Sequence, residues 1–327
     1  MSCCHGPERE GAGASATTSA TGAGAATAPD KVAAATGTPA TRERDIEQVP
    51  LPGGRFLMGD AFDEGYPEDG EGPVHEVALS PFTMDATAVT NAEFHRFVAA
   101  TGYRTESEVY GYSAVFHLLV AADAADVLGR PEGLQWWVTV RGADWAHPHG
   151  PKSSWQDVPD HPVVQVSWND AVAYCRWAGR ALPTEAQWEY AARGGLEQAR
   201  YPWGNELIEP DGTHRCNIWQ GIFPTDNTLD DGFLGPAPVR TFPPNGFGLY
   251  ETSGNVWEWC ADWFLPKYYR KSPLDNPPGP TIGQGRVMRG GSFLCHDSYC
   301  NRYRVAARSK NTPDSAASNI GFRTVAA

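Results

Sequence analysis

The density of turn-forming residues is the feature that most restricts how this chain can fold. Its 327 residues include 35 glycines and 27 prolines, both above average usage, and no long helical repeat is present. Glycine and proline interrupt helices and strands and favour turns. We therefore expect a compact fold in which loops carry much of the backbone. The chain is long enough to bury a core without disulfide or metal staples.

Three segments carry a helix-start signal. In each, a hydroxyl side chain that can cap the backbone precedes, by three positions, an acid or amide that can reach back to it. The three pairs are Thr90 with Glu93, Ser167 with Asp170, and Thr184 with Gln187. The predicted helices end near Gly102, Gly179 and Gly194. Short apolar runs after residue 46 predict early strands, so the chain combines helices with strands.

The first 44 residues differ in composition from the rest. They are dominated by Ala, Gly, Thr and Ser and contain almost no aromatic anchor. We expect residues 1–44 to form a disordered low-complexity tail, and residues 45–327 to form one folded domain. The tail lacks the apolar region of a signal peptide, and no segment approaches the ~20 apolar residues that a membrane helix needs.

Charge and cysteine content limit the partners and the compartment. The formal net charge is −13 and the isoelectric point is near 5.1, without a basic run that could neutralise phosphates. We therefore expect no nucleic-acid or membrane partner. The seven cysteines lack the dense, even spacing of a secreted disulfide scaffold, which favours a reducing cytoplasm.

Cys295 and Cys300 are the cysteines whose spacing suggests chemistry. On an ideal helix five residues would set the two side chains about 140° apart around the axis, so only a turn could bring them together. Gly290 and Gly291, just before them, are compatible with such a bend. If the thiols converge they could form a disulfide, act as a redox pair, or chelate a soft metal such as copper(I). The spacing leaves these alternatives open, together with ordinary buried cysteines.

Longer stretches around this pair carry a family resemblance. Residues 289–304 and 306–323 resemble the active-site and C-terminal signature of formylglycine-generating enzymes. Further matching stretches are 56–59, 161–175, 182–190, 245–250 and 254–259. The resemblance covers the chain from about residue 46 onward and implies a single α+β domain with little regular secondary structure, related to C-type lectins.

The resemblance also implies a reaction. Cys295 and Cys300 would be catalytic residues and copper(I) ligands, and Ser292 would contact the reacting centre. The enzyme would use molecular oxygen to convert the cysteine of a Cys-x-Pro-x-Arg segment, in an unfolded or nascent sulfatase, to formylglycine. Trp257 and Asn319 match groove positions near the substrate. Without the resemblance, a turn hydroxyl, a core indole and a capping amide explain Ser292, Trp257 and Asn319 as well.

Two structural calcium sites belong to the same resemblance, since both offer the oxygen ligands that calcium prefers. The ligands implied for the first are Asn217, Ile218, Asp231 and Phe233, and those for the second are Gly254, Val256, Glu258 and Glu251. Relatives carry Asn at the position of Glu251, which makes the geometry of the second site a question. For His296, structural hydrogen bonding is favoured over a role as base or ligand.

Two other functions compete with the oxidase. A noncatalytic lectin-like binding module could use the same fold, although the intact cysteine pair argues against it. A nonheme-iron sulfoxide synthase would need a further helical domain and a His cluster that this chain lacks. Secretory relatives carry disulfide cysteines at the positions of Val305 and Thr324, which implies a bacterial cytoplasmic enzyme. We expect a monomer.

Overall fold

The computed structural model describes residues 6–9 and 44–327. Within these ranges four α-helices and fifteen strands form, and most strands are short. The helices are α1 (Asn91–Thr101), α2 (Glu106–Tyr110), α3 (Trp168–Ala178) and α4 (Glu185–Arg193). The strands are β1 (Gln48–Leu51), β2 (Gly54–Met58), β3 (His75–Leu79), β4 (Phe82–Asp85), β5 (Tyr112–Phe116), β6 (Val127–Gly129), β7 (Trp137–Arg141), β8 (Arg180–Ala181), β9 (Gly221–Ile222), β10 (Asp226–Asn227), β11 (Trp257–Trp263), β12 (Arg286–Arg289), β13 (Arg308–Asn311), β14 (Ile320–Gly321) and β15 (Val325–Ala326).

The three predicted helix starts are confirmed. Ser167 caps α3 and Thr184 caps α4, each in a reciprocal capping box, and Thr90 caps α1 through its hydroxyl. All three helices end at glycines with positive φ, which a residue with a side chain adopts only at a cost. The sequence analysis missed α2, although Thr105 and Glu108 form the same capping box.

One four-stranded sheet positions the C-terminal signature. Its strand order is β13-β12-β11-β14, with β11 antiparallel to β12 and parallel to β14. The pairing sets Trp257 opposite Ile320 and Glu258 opposite Arg289. A second sheet, β1-β4-β15-β8, joins the first and last strands of the folded body. The signature therefore lies in the middle of the core.

Buried ion pairs join α4 to this sheet. Arg289 and Arg308 both bond the carboxylate of Glu185, at 2.7–2.8 Å, and Arg289 also bonds Glu189 at 2.5 Å. Both arginines are fully buried. Because an unpaired charge is costly in the interior, these pairs restrict how the helix can sit on the sheet.

Residues 6–9 lie against the folded body. The Asn311 side chain donates a hydrogen bond to the Gly6 carbonyl at 2.8 Å, and the Arg9 backbone N–H donates to Ser315 Oγ at 2.9 Å. A tail without contacts was expected for residues 1–44, and these four residues differ from that expectation. The rest of that tail, residues 1–5 and 10–43, lies outside the described residues. No helix in the described ranges is long and apolar enough to cross a membrane.

Candidate active site

A double turn after β12 brings the two cysteines together. Gly290 and Gly291, with φ of 93° and 74°, bend the chain, and the Cys295 N–H donates to the Ser292 carbonyl at 2.9 Å. The Cys300 N–H donates to the carbonyl of His296 at 2.8 Å. The Sγ atoms of Cys295 and Cys300 lie 3.4 Å apart, and both residues are fully buried. The turn that the spacing required is present.

Neighbouring polar groups hold the cysteine sulfurs in place. The Ser292 backbone N–H points at Cys295 Sγ at 3.4 Å, while Asn319 Nδ2 donates to Ser292 Oγ at 3.0 Å. Arg302 Nη1 lies 3.9 Å from Cys300 Sγ and is itself held by the carboxylate of Asp69. The predicted Ser292 and Asn319 therefore lie at the site, and Arg302 is a neighbour that the sequence analysis missed.

The oxidation state of Cys300 matters for any metal chemistry. Cys300 is disulfide-bonded in the structure. Cys295 is not its partner in that bond, because a disulfide joins its sulfurs at about 2.05 Å. The thiolate is the form that binds a metal. Chelation by both sulfurs therefore requires the reduced form of Cys300.

The other described cysteines have a different environment. Cys175, Cys216 and Cys260 are buried. Burial raises the pKa of Cys175 to about 12, and it raises the pKa of Cys216 and Cys260 as well. These thiols stay protonated near neutrality, so they behave as small core side chains.

Three aromatic side chains form a wall against the hydrophobic cluster that contains Cys295 and Cys300. The Phe223 and Tyr299 rings stack with centroids 4.1 Å apart, and Trp136 meets Phe223 edge-on at 5.3 Å. Tyr299 precedes Cys300 directly in sequence. Neither Phe223 nor Tyr299 was singled out from the sequence. Only the position of Tyr299 inside the signature could have indicated it.

Trp257 and His296 have mainly structural surroundings. Trp257 is fully buried, and its backbone N–H donates to the carbonyl of Asn319 at 2.9 Å. The structure thus gives Trp257 the core position that was its alternative, and a contact with substrate stays a prediction. The His296 Nδ1 lies 2.8 Å from Ser298 Oγ, in agreement with the favoured hydrogen-bonding role.

Part of the first predicted calcium site converges. Asp231 Oδ2 accepts hydrogen bonds from the Ile218 N–H at 3.1 Å and from Gln220 Nε2 at 2.8 Å. The same Gln220 amide donates to the Ile218 carbonyl. Asn217 Oδ1 is buried without a hydrogen-bond partner among the described residues. A carboxylate oxygen and a carbonyl oxygen that share one donor, with an unsatisfied side-chain oxygen on the adjacent residue Asn217, are ligand types that suit a hard cation. The Phe233 N–H donates to Asp231 Oδ1 at 3.0 Å, and the role of the Phe233 carbonyl as a ligand stays a prediction.

The second predicted calcium site is occupied by protein donors. Both oxygens of Glu258 bond the guanidinium of Arg323 at 2.7 Å, and Oε2 also accepts from Trp188 Nε1 at 2.7 Å. Glu251 accepts from the backbone N–H groups of Arg240 and Phe242. Calcium binding by Glu258 and Glu251 together with the carbonyls of Gly254 and Val256 therefore stays a prediction. No group of three or more His, Cys, Asp or Glu in the described part of the chain could hold a metal.

Comparison with known proteins places the chain among characterised relatives. Residues 33–327 match the family model described as a sulfatase-modifying factor enzyme 1-like domain. The formylglycine-generating enzyme of Streptomyces coelicolor is 63% identical over 297 residues, which cover 90% of this chain and 94% of that protein. A Bos taurus protein named inactive Cα-formylglycine-generating enzyme 2 is 46% identical over 282 residues, with 85% and 87% covered.

A solved structure has the same architecture. PvdO from Pseudomonas aeruginosa superposes with a TM-score of 0.62 and 25% identity, covering 85% of this chain and 93% of PvdO. The predicted α+β fold of the formylglycine-generating-enzyme family is therefore confirmed.

Proposed function

Because the chain belongs to the sulfatase-modifying factor enzyme 1-like family, we propose that it oxidises the cysteine of a sulfatase Cys-x-Pro-x-Arg segment to Cα-formylglycine. The observation that carries the proposal is the convergence of Cys295 and Cys300, whose sulfurs lie 3.4 Å apart in a buried site. The relatives named formylglycine-generating enzyme support the same conversion.

Copper(I) fits the pair of sulfurs. Two thiolates are the soft ligands that this ion accepts, whereas a structural zinc site would need further ligands. When bound, the ion would supply the means to activate molecular oxygen. Arg302 places a positive charge beside Cys300, where it favours the thiolate that the ion needs.

The remaining side chains have positioning roles. The Ser292 N–H fixes the direction of Cys295 Sγ, and Asn319 holds the Ser292 hydroxyl in turn. Trp136, Phe223 and Tyr299 pack against the hydrophobic cluster that contains both cysteines and would contribute to an apolar surrounding for the substrate. A substrate cysteine held against this site would present its β-carbon in a fixed geometry, which is a large part of the rate gain in such reactions.

The electron count defines what must be supplied. Conversion of the cysteine β-carbon to an aldehyde breaks the carbon–sulfur bond, releases hydrogen sulfide, takes up oxygen as the carbonyl and withdraws two electrons. Reduction of molecular oxygen to the oxidation level of water takes four electrons, so two more must come from a reductant. Two thiol groups that are oxidised to one disulfide supply these two electrons, and the same reductant would keep Cys300 reduced.

The proposal extends to structural calcium and to the cellular setting. Calcium at Asn217, Ile218 and Asp231 would stabilise the loop whose next residue, Trp219, donates its N–H to the Cys295 carbonyl at 3.0 Å. The second candidate site comprises Glu251, Gly254, Val256 and Glu258, and because both oxygens of Glu258 already bond Arg323, an ion there would have to share them. We place the enzyme in a bacterial cytoplasm, as a monomer that acts on unfolded or nascent sulfatase.

The test is aerobic conversion of a Cys-x-Pro-x-Arg peptide by the copper-loaded protein with a thiol reductant, followed by mass spectrometry. We expect the aldehyde in the wild type and in Cys175→Ser, and none in Cys295→Ser or Cys300→Ser. Anaerobic copper(I) competition titration should show high-affinity binding only in the first two proteins, since a hydroxyl is a hard ligand. Conversion by rigorously copper-free protein would refute the copper mechanism.

A noncatalytic binding module is the second candidate, because the family contains a relative that is named inactive at 46% identity. Such a module would bind the peptide and leave its cysteine unchanged under the same conditions. The peptide-binding and mass-spectrometric measurements together separate the two functions.

A further inference from the structure

The docked segment, residues 6–9, has a sequence relation to the proposed substrate. It reads Gly-Pro-Glu-Arg, so Pro7 and Arg9 have the spacing of the Pro-x-Arg half of Cys-x-Pro-x-Arg. Glu8, which stands at the unspecified position of the motif, is exposed. The chain therefore carries part of its own substrate motif at a place where the structure shows it bound.

Arg9 occupies a defined pocket on the body. Its Nη2 donates to Ser107 Oγ at 2.9 Å, and its backbone N–H donates to Ser315 Oγ at the same distance. The guanidinium lies 4.3 Å from the Tyr110 ring centre and 5.5 Å from that of Tyr112. Hydrogen bonds and aromatic faces are the contacts by which proteins recognise arginine.

The charges around this pocket have the matching sign. Burial lowers the pKa of Arg9, and the carboxyl groups of Glu106 and Asp170 offset part of this by attracting its guanidinium. The pocket is thus partly dehydrated and acidic, and a peptide arginine would gain the same contacts.

The other end of the docked segment packs against the core cluster that contains the cysteine pair. A Cβ added to Gly6 would lie 2.2 Å from Ala317 Cβ, so only glycine fits at this contact. Two residues further on, Asn319 bonds Ser292 beside Cys295. Gly6 thus contacts the cluster that holds the cysteines, whereas Arg9 lies at Ser107 and Tyr110, so the N-terminal end of the segment is the end on the cysteine side. In the substrate motif the reacting cysteine also precedes the Pro-x-Arg part, so the two directions agree.

We propose that the docked segment is an internal competitor that occupies the groove for the substrate's Pro-x-Arg residues, with Arg9 in the place of the substrate arginine. The inference rests on the proposed function, because that function supplies the motif. A peptide must displace the segment before it binds. Its apparent affinity is therefore lowered by the fraction of molecules in which the groove is open.

The test measures binding without turnover. A fluorescent Ser-x-Pro-x-Arg peptide, which cannot be oxidised at sulfur, is titrated by anisotropy into the wild type, Arg9→Ala and Glu8→Ala, all with a thiol reductant. If about a tenth of wild-type molecules are open, Arg9→Ala binds the peptide about 10-fold more tightly. Glu8→Ala is the matched control and should bind like the wild type, since Glu8 is exposed.

A second pair of variants tests whether the pocket is shared. In the Arg9→Ala protein, the further change Ser107→Ala should weaken peptide binding severalfold, because the peptide arginine loses a hydrogen bond. An Arg9→Ala protein that binds the peptide as the wild type does, or more weakly, would overturn the inference. A wild type that binds the peptide in this competed manner but forms no aldehyde from the cysteine peptide would refute the proposed function alone.

Discussion

Glu258 offers a test that separates a buried ion pair from a calcium site. We predict that Glu258→Gln destabilises the protein strongly with or without calcium. The side chains of Glu258 and Arg323 are only 2% and 0% exposed, and two hydrogen bonds of 2.7 Å join them. A neutral amide would leave the Arg323 charge buried without its counter-charge.

The size of the effect follows from this burial. Removing one partner of a buried pair costs about 3–5 kcal/mol. For a body of this size each kcal/mol lowers the melting temperature by about 2–4 °C, so a drop on the order of 10 °C is expected. Burial alone would lower the pKa of Arg323, yet the attraction of Glu258 raises it above its ordinary value, which agrees with a strong pair.

The assay is thermal unfolding with calcium and with a chelator. Glu76→Gln is the matched control, because Glu76 forms an exposed pair with Arg55 and such pairs contribute about 0–1 kcal/mol. We expect the Glu258→Gln deficit to persist in the chelator. A deficit that vanishes when calcium is removed would show that Glu258 acts as a calcium ligand, and an unchanged melting temperature would refute the ion-pair argument.

Three further predictions concern other parts of the body. Asp231→Ala should lower the melting temperature in calcium but change it little in a chelator, because an ion at 100 times its Kd stabilises the folded state by about 2.7 kcal/mol. Equal decreases of the melting temperature in both buffers would indicate an ordinary acidic turn. Burial lowers the pKa of His149 from 6.5 to about 4, so its stabilising contribution is complete above pH 6.5 and is lost as the pH falls towards 4. As the pH falls from 6.5 to 4, the free energy of unfolding should therefore decrease by up to about 3 kcal/mol less in His149→Gln than in the wild type. Denaturant unfolding at a series of pH values measures this difference. Ser292→Ala should reduce peptide turnover at a stability cost of about 1 kcal/mol, measured by turnover assays beside thermal melts.

Local signals explain the elements that the sequence predicted well. A capping box needs only four consecutive residues, so Ser167 with Asp170 could be identified without knowledge of the fold. The same rule applies to Thr105 and Glu108, and α2 was within reach of the sequence analysis. Its five residues are too short for a clear apolar periodicity, which is the signal that marked the other helices.

Non-local contacts explain what the sequence did not predict. Phe223 stacks on Tyr299 across 76 residues of chain, and no local pattern indicates such a pair. The docking of residues 6–9 was missed for a different reason. Residues 1–44 contain almost no aromatic anchor of their own, whereas Arg9 binds through hydrogen bonds and through aromatic rings of the body, which the composition of the tail does not reveal.

The length of the C-terminal signature has a physical cause. The cysteine turn depends on Asn319, which bonds Ser292, and Asn319 is held through its carbonyl by the Trp257 N–H. This contact lies where β14 pairs in parallel with β11, and β14 ends a few residues before Arg323. Glu258, on β11, balances the buried charge of Arg323. A change at either end of the signature would therefore disturb contacts that support the cysteine turn from outside it. For this reason we expect variants of the buried pair to alter turnover as well as stability.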